Sequence, residues 1–235
     1  IRLFPYFYTY SRQAHDTGRP VIRPFGLAYP ADGRHPDFTF LSGPDLLVAP
    51  VVESATERSV PLPAGQWIDW WTDEVVEGPV DATVDAPLDK LPLYLRAGGI
   101  VPMLRPTVMT LSPTTDPTVD SYDTDPGRLW GRVAPEVGVQ NTLTLHDDAV
   151  LGVEGFAGGT ADFWFQPGSL YTGLHIRVWA PDVTAVDLDG SGVSEAADAG
   201  ELDTCASCWY REPGSPWVWI ALDPQSTDQH TFALR

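Results

Sequence analysis

The sequence predicts a mainly β protein: two β-sandwich-like domains preceded by a short α/β segment. Three observations predict it. The 23 Pro and 21 Gly are spread between short apolar runs and not gathered into tracts, so the chain turns often. From Leu46 onward those runs are rich in β-branched and aromatic residues and recur at strand length. Before Leu46, one stretch with helical spacing leads into a short apolar strand, an α/β unit that the rest of the chain does not repeat.

In residues 1–17, Ile1, Phe4, Phe7 and Tyr8 fall on the i, i+3, i+4 pattern of one helix face. Pro5 is compatible only with a first turn or a kink. Gly18 is placed to cap the helix in the left-handed conformation, and Pro20 prevents its continuation. The next stretch, "PVIRPFGLAYP", reads as a strand ending near Pro24 or Phe25. Strands are then expected at 46–52, 58–62, 66–72, 82–85 and 91–95, separated by turns at "PAG" 63–65, "EGP" 77–79 and "AGG" 97–99. That is an antiparallel sandwich pattern. Residues 106–127, rich in Pro, Thr, Asp and Ser, read as a linker or irregular connection. A second β-rich stretch follows, with strands expected at 128–133, 141–146, 161–166, 173–179, 184–188, 208–211, 216–222 and 230–234.

Charge excludes some partners. The net charge is −18, and Lys90 is the only lysine among 14 cationic residues. Nucleic acid and anionic membranes require a cationic surface, so neither is expected. No run reaches the ~18 apolar residues of a membrane span. Up to residue 104 there are 13 acids and 8 bases, and from 105 onward 19 acids and 6 bases, so the second half carries most of the charge. The chain opens on Ile and not Met, which points to processing, excision or truncation at its N-terminus.

Candidate functional residues are few. Asp73-Glu74 and Asp147-Asp148 are adjacent acids of the kind expected on surfaces or in turns. The five histidines show no metal-ligand spacing. Cys205 and Cys208 form a C-x-x-C between strand-like flanks, read as a local disulfide across a turn, with free thiols as the alternative. That reading favours an exported protein, periplasmic or extracellular, over a cytoplasmic one. Asp123 and Asp125 in "DTDPG" are candidate calcium ligands, against the simpler reading of a Pro-Gly turn. Trp217 and Trp219 share one strand face and, like Trp70-Trp71, stack either on sugar rings or within a core. Arg23 lies in an apolar strand, where a charge needs a partner: a buried ion pair or a substrate contact. No cofactor is expected.

Taken in order, "LFPYFYTYSRQAHDTGRPVIRPF", "FLSGPDLLVAPVV", "RSVPLPAGQWIDWWT", "APLDKLPLYLRAGGIVP" and "NTLTLHDD" resemble the C-terminal third of glycoside hydrolase family 31, which contains α-glucosidases and α-xylosidases. The resemblance is dense over residues 3–104 and thins beyond. His146 stands where the family has Tyr, and Ala149 where it has Gly. The resemblance implies that residues 1–43 are a (β/α)8-barrel remnant comprising a helix, the last strand and a closing helix at 38–43. It implies a proximal β-sandwich at 44–105 and, after the connection at 106–127, a divergent distal β-domain at 128–235. On this reading, 46–52 pairs with sandwich strands and not with 20–25.

The resemblance also implies a parent enzyme: a retaining, exo-acting α-glycosidase using two aspartates about 5–5.5 Å apart. Both aspartates map upstream of this chain, so no catalytic residue is carried over. The implied partner is the missing N-terminal barrel of the same protein, and the implied substrate an α-linked carbohydrate. The alternative is a non-catalytic carbohydrate-binding module.

Overall fold

The computed structural model describes residues 1–223 and 228–235. They divide into a proximal unit, Gln13–Gly99, and a distal unit that joins Ile1–Arg12 to Ile100–Arg235. Helix α1 (Phe4–Thr17) contributes to both. Gly18 ends it as expected, at φ 75°, with its N–H donating to the Ala14 carbonyl at 2.9 Å. The stripe α1 buries is Pro5, Tyr6, Thr9 and Tyr10. The predicted stripe differs: Phe7 and Tyr8 lie on the exposed side.

In the proximal unit the elements are β1 (Ile22–Pro24), α2 (Phe25–Ala28), β2 (Phe40–Ser42), β3 (Leu46–Val48), β4 (Glu57–Asp69), β5 (Val75–Asp85) and β6 (Leu93–Arg96). They form one six-stranded sheet in the order β1-β2-β3-β6-β4-β5, every neighbour antiparallel. Its core gathers Phe25, Leu41, Leu47, Val60, Leu62, Trp67 and Tyr94. Leu46–Val48 does not pair with β1; it pairs with β6 on one side and, on the other, with β2, which lies within the segment 1–43 expected to belong to the barrel.

Two expectations are corrected here. The helix expected at 38–43 is the strand β2, hydrogen-bonded on both sides, to β1 and to β3. The six residues from Phe38 to Gly43, both ends at positive φ, are too few to repay helix nucleation, whereas Phe40–Ser42 gains a strand partner on each side. Because β2 bridges β1 and β3, the sheet runs unbroken across residue 43. The turns expected at 63–65 and 77–79 are instead strand interior. Pro63-Ala64-Gly65 forms a register shift within a single 13-residue β4, opposite Gly78 and Pro79 of β5. The backbones approach so closely that a Cβ on Gly78 would lie 1.8 Å from the Pro63 carbonyl oxygen. The turn joining β4 to β5 lies at residues 70–74, with Asp73 at φ 61°.

The distal unit holds β7 (Ile100–Met103), β8 (Arg128–Val133), β9 (Gln140–Thr144), β10 (Val150–Gly155), β11 (Ala161–Gln166), β12 (Gly173–Trp179), β13 (Val186–Leu188) and β14 (Ser191–Val193). After α3 (Ala199–Leu202) come β15 (Ser207–Arg211), β16 (Trp217–Leu222) and β17 (His230–Leu234). They form a six-stranded sheet, β14-β13-β17-β11-β10-β9, and a five-stranded sheet, β15-β16-β12-β8-β7. Leu151, Val153, Phe163, Phe165 and Phe232 of the first and Leu129, Val133, Ile176, Val218 and Ile220 of the second are fully buried. These alternating positions supply the inner faces of a β-sandwich. The protein is mainly β, as predicted.

The connection at 106–127 is irregular, with one 3-10 turn at Tyr122–Thr124. Arg105 ties it down, donating to the Asp120 carboxylate and to the carbonyls of Ser121 and Asp125. The guanidinium holds the Asp120 pKa down at about 2.

Candidate functional site

In the proximal unit, the turn after α1 and the ends of β1 and α2 enclose a cleft of about 540 Å³. Arg19, Arg23 and Arg96 line it, a local concentration of cations in an acidic chain. Arg23 is 7% exposed; its guanidinium donates to the Pro20 carbonyl at 3.0 Å and to Gln13 Oε1 at 3.1 Å. Those bonds fasten the end of α1 to β1, which is a positioning role. Arg96 is held by Asp45, 1% exposed, at 2.9 Å. Asp45 directly precedes β3, the neighbour of the β6 strand that carries Arg96, and this buried carboxylate keeps the arginine in place.

In the distal unit, the outer face of the five-stranded sheet carries an aromatic and cationic ladder. Trp217 and Trp219 do share this face, as their spacing indicates, but they differ in depth. Trp217 is fully buried, covered by Trp179 at 5.1 Å and by the guanidiniums of Arg132 and Arg177, each 5.4 Å from a ring centroid. A side chain so covered has no ring face to offer a ligand. Trp219 is half-buried against Arg177 and Trp130, and with Tyr210 these tryptophans border a hollow of about 270 Å³. His175 lies beneath, buried, with its pKa pushed down to about 4 by that burial and by Arg128. The imidazole is therefore neutral, and its 3.5 Å approach to Asp203 is not an ion pair.

Cys205 and Cys208 are joined in a disulfide with Cα atoms 6.1 Å apart, packed with Ala196, Leu202 and Ala221 beside Trp219. Asp123 lies in the 3-10 turn and Asp125 caps it, with the Asp125 carboxylate 3.7 Å from the Arg128 guanidinium. Among the described residues no group of three or more His, Cys, Asp or Glu side chains converges as metal ligands would. Asp147 is a turn residue, and a buried one: its carboxylate accepts from the backbone N–H groups of Leu170 and Tyr171 at 3.1 and 2.8 Å. The structure thus brings the disulfide and Trp219 together, and leaves Arg23 in a different unit.

Residues 18–101 match the family described as the glycosyl hydrolase family 31 C-terminal domain. Over those residues the chain is similar to a family 31 C-terminal domain. Alpha-glucosidase 2 of Bacillus thermoamyloliquefaciens is 35% identical over 61% of the chain, which covers 17% of that protein. An isomaltosyltransferase of Sporosarcina globispora is 26% identical over 97% of the chain and 21% of its own length. Among solved structures, a cycloalternan-forming enzyme from Listeria monocytogenes matches all of the chain at 25% identity and TM-score 0.84, over 22% of that enzyme's chain. The chain thus spans about a fifth of the length of the relatives it matches. The matched stretch takes in the three arginines of the cleft and the whole β1–β6 sheet.

Proposed function

We propose that the chain is the C-terminal portion of a longer retaining exo-α-glycosidase, which hydrolyses the O-glycosidic bonds of α-linked oligosaccharides. In that protein it supports the catalytic (β/α)8 barrel and contributes no catalytic carboxylate. The observation that carries this reading is the distribution of exposed apolar side chains near the N-terminus. Ile1, Phe7 and Tyr8 in the distal unit, and Ile22, Leu27 and Phe38 in the proximal unit, are between 40% and 62% exposed. All but Phe38, which precedes β2, sit on or beside α1, β1 and α2, a helix-strand-helix succession. β1 is moreover the end strand of its sheet, so one edge is open to a further strand among the described residues. Such surfaces are costly in water and belong against a partner. The relatives named alpha-glucosidase support the substrate class. The disulfide supports an oxidising compartment, periplasmic or extracellular.

The purified 235-residue chain is expected to give no turnover of p-nitrophenyl α-D-glucopyranoside above an enzyme-free control, and the chain joined to its upstream barrel to turn it over. Activity of the isolated chain overturns the proposal. In the longer protein, Phe7→Glu should lower the thermal midpoint by several degrees while KM stays within about twofold, because it burdens a supporting surface and not the sugar site.

A further inference from the structure

Trp71 is the one tryptophan of nine that stands exposed, at 47%; the other eight are buried or half-buried. It is also fixed. Its indole N–H donates to the Leu91 carbonyl at 2.7 Å, and its backbone N–H donates to Asp69 Oδ1 at 2.8 Å, as does that of Thr72 at 2.9 Å. A large apolar ring held in one orientation against solvent has already lost the freedom that binding would take from it.

The ring lines a cleft of about 580 Å³ inside the proximal unit, within the roughly 300–1,000 Å³ of small-molecule sites. Val76, Ala82 and Val84 make part of its wall apolar. Glu74, Asp85 and Lys90, all exposed, supply carboxylate acceptors and an ammonium donor from its rim. Lys90 is the chain's only lysine. The combination is that of a ligand with one apolar face and hydroxyls around its edge. A pyranose has that shape: its axial C–H groups lie on an aromatic ring while its equatorial hydroxyls reach the polar rim.

We propose that this cleft binds a pyranose unit of an oligosaccharide, with Trp71 as the stacking platform and Asp85 and Lys90 as hydroxyl partners. The site is separate from the barrel-supporting surface and does no chemistry. Its role is to retain carbohydrate on the protein.

Titration calorimetry of the 235-residue chain with maltotriose and with isomaltotriose tests it. Saturable binding of at least one, with Kd in the millimolar range, is the expected result. Trp71→Ala should weaken it by about tenfold or more, and Trp71→Phe, which keeps a ring, by about threefold or less. Asp85→Asn, on the exposed rim, is a second variant that leaves the turn intact and should also weaken binding. Far-UV circular dichroism and the thermal midpoint establish that each variant is folded. Absence of saturable binding of both sugars up to about 50 mM overturns the proposal. So does unchanged affinity in Trp71→Ala or saturable binding of choline without either sugar, which would make the cleft a cation site. None of these readouts depends on glycosidase turnover, so the proposal and the supporting role of the chain can fail separately.

Discussion

Buried on the outer face of the five-stranded sheet, His175 stands 4.7 Å from the Trp130 ring with Arg128 as a charged neighbour. The unfolded chain takes up this proton near the ordinary histidine value of about 6.5, the folded chain only near about 4. Between those values the unfolded state binds more protons, so stability falls as pH is lowered through that window, by on the order of 3 kcal/mol. Urea unfolding of wild type and His175→Phe between pH 7 and 4.5 checks this: the variant should lose less stability over that range, and parallel profiles would rule it out. Depth of this kind was not legible in the sequence. Spacing put Trp217 and Trp219 on one face, but not Arg132 and Arg177 over one of them, because those cations come from strands far off in sequence. Asp147, expected on a surface or in a turn, lies in a turn but is buried.

Strands with uninterrupted alternation, such as Ala161–Gln166, Gly173–Trp179 and His230–Leu234, have the bounds their pattern indicated. Two that escaped notice contain the residues that usually end strands. Ile100–Met103 includes Pro102 and runs at a sheet edge, where a missing N–H costs little. Val150–Gly155 includes Gly152, where a Cβ would meet the Trp164 ring at 1.9 Å, and Gly155, where it would meet the Glu136 backbone at 2.6 Å. In both places glycine marks a close approach, not a turn. The same holds for Gly78 in β5, where Gly78→Ala drives a methyl group into the Pro63 carbonyl. That substitution is expected to cost about 2–4 kcal/mol in a denaturant melt, and a loss below about 0.5 kcal/mol would contradict the strand-interior geometry.

Over the whole molecule, charge works against compaction. A net −18 in 235 residues repels itself, and the surplus of acids is greatest beyond residue 104. Raising NaCl from about 0.02 to 0.5 M should therefore raise the thermal midpoint by several degrees, since screening at a Debye length of about 4 Å removes long-range repulsion before it removes close ion pairs. A falling midpoint would mean that pairs such as Arg34 with Asp32 and Asp81 outweigh the net field. At this scale, the predominance of short strands was legible, from the recurrence of apolar runs between Gly and Pro. The unbroken sheet from β1 to β5 was not, because pairing through the three residues of β2 leaves almost no periodicity to read. The scarcity of lysine has a practical side as well. With Lys90 the only side-chain amine and exposed on the rim of the Trp71 cleft, an amine-directed dye attaches at one lysine side chain, and its emission becomes a gauge of whatever enters there.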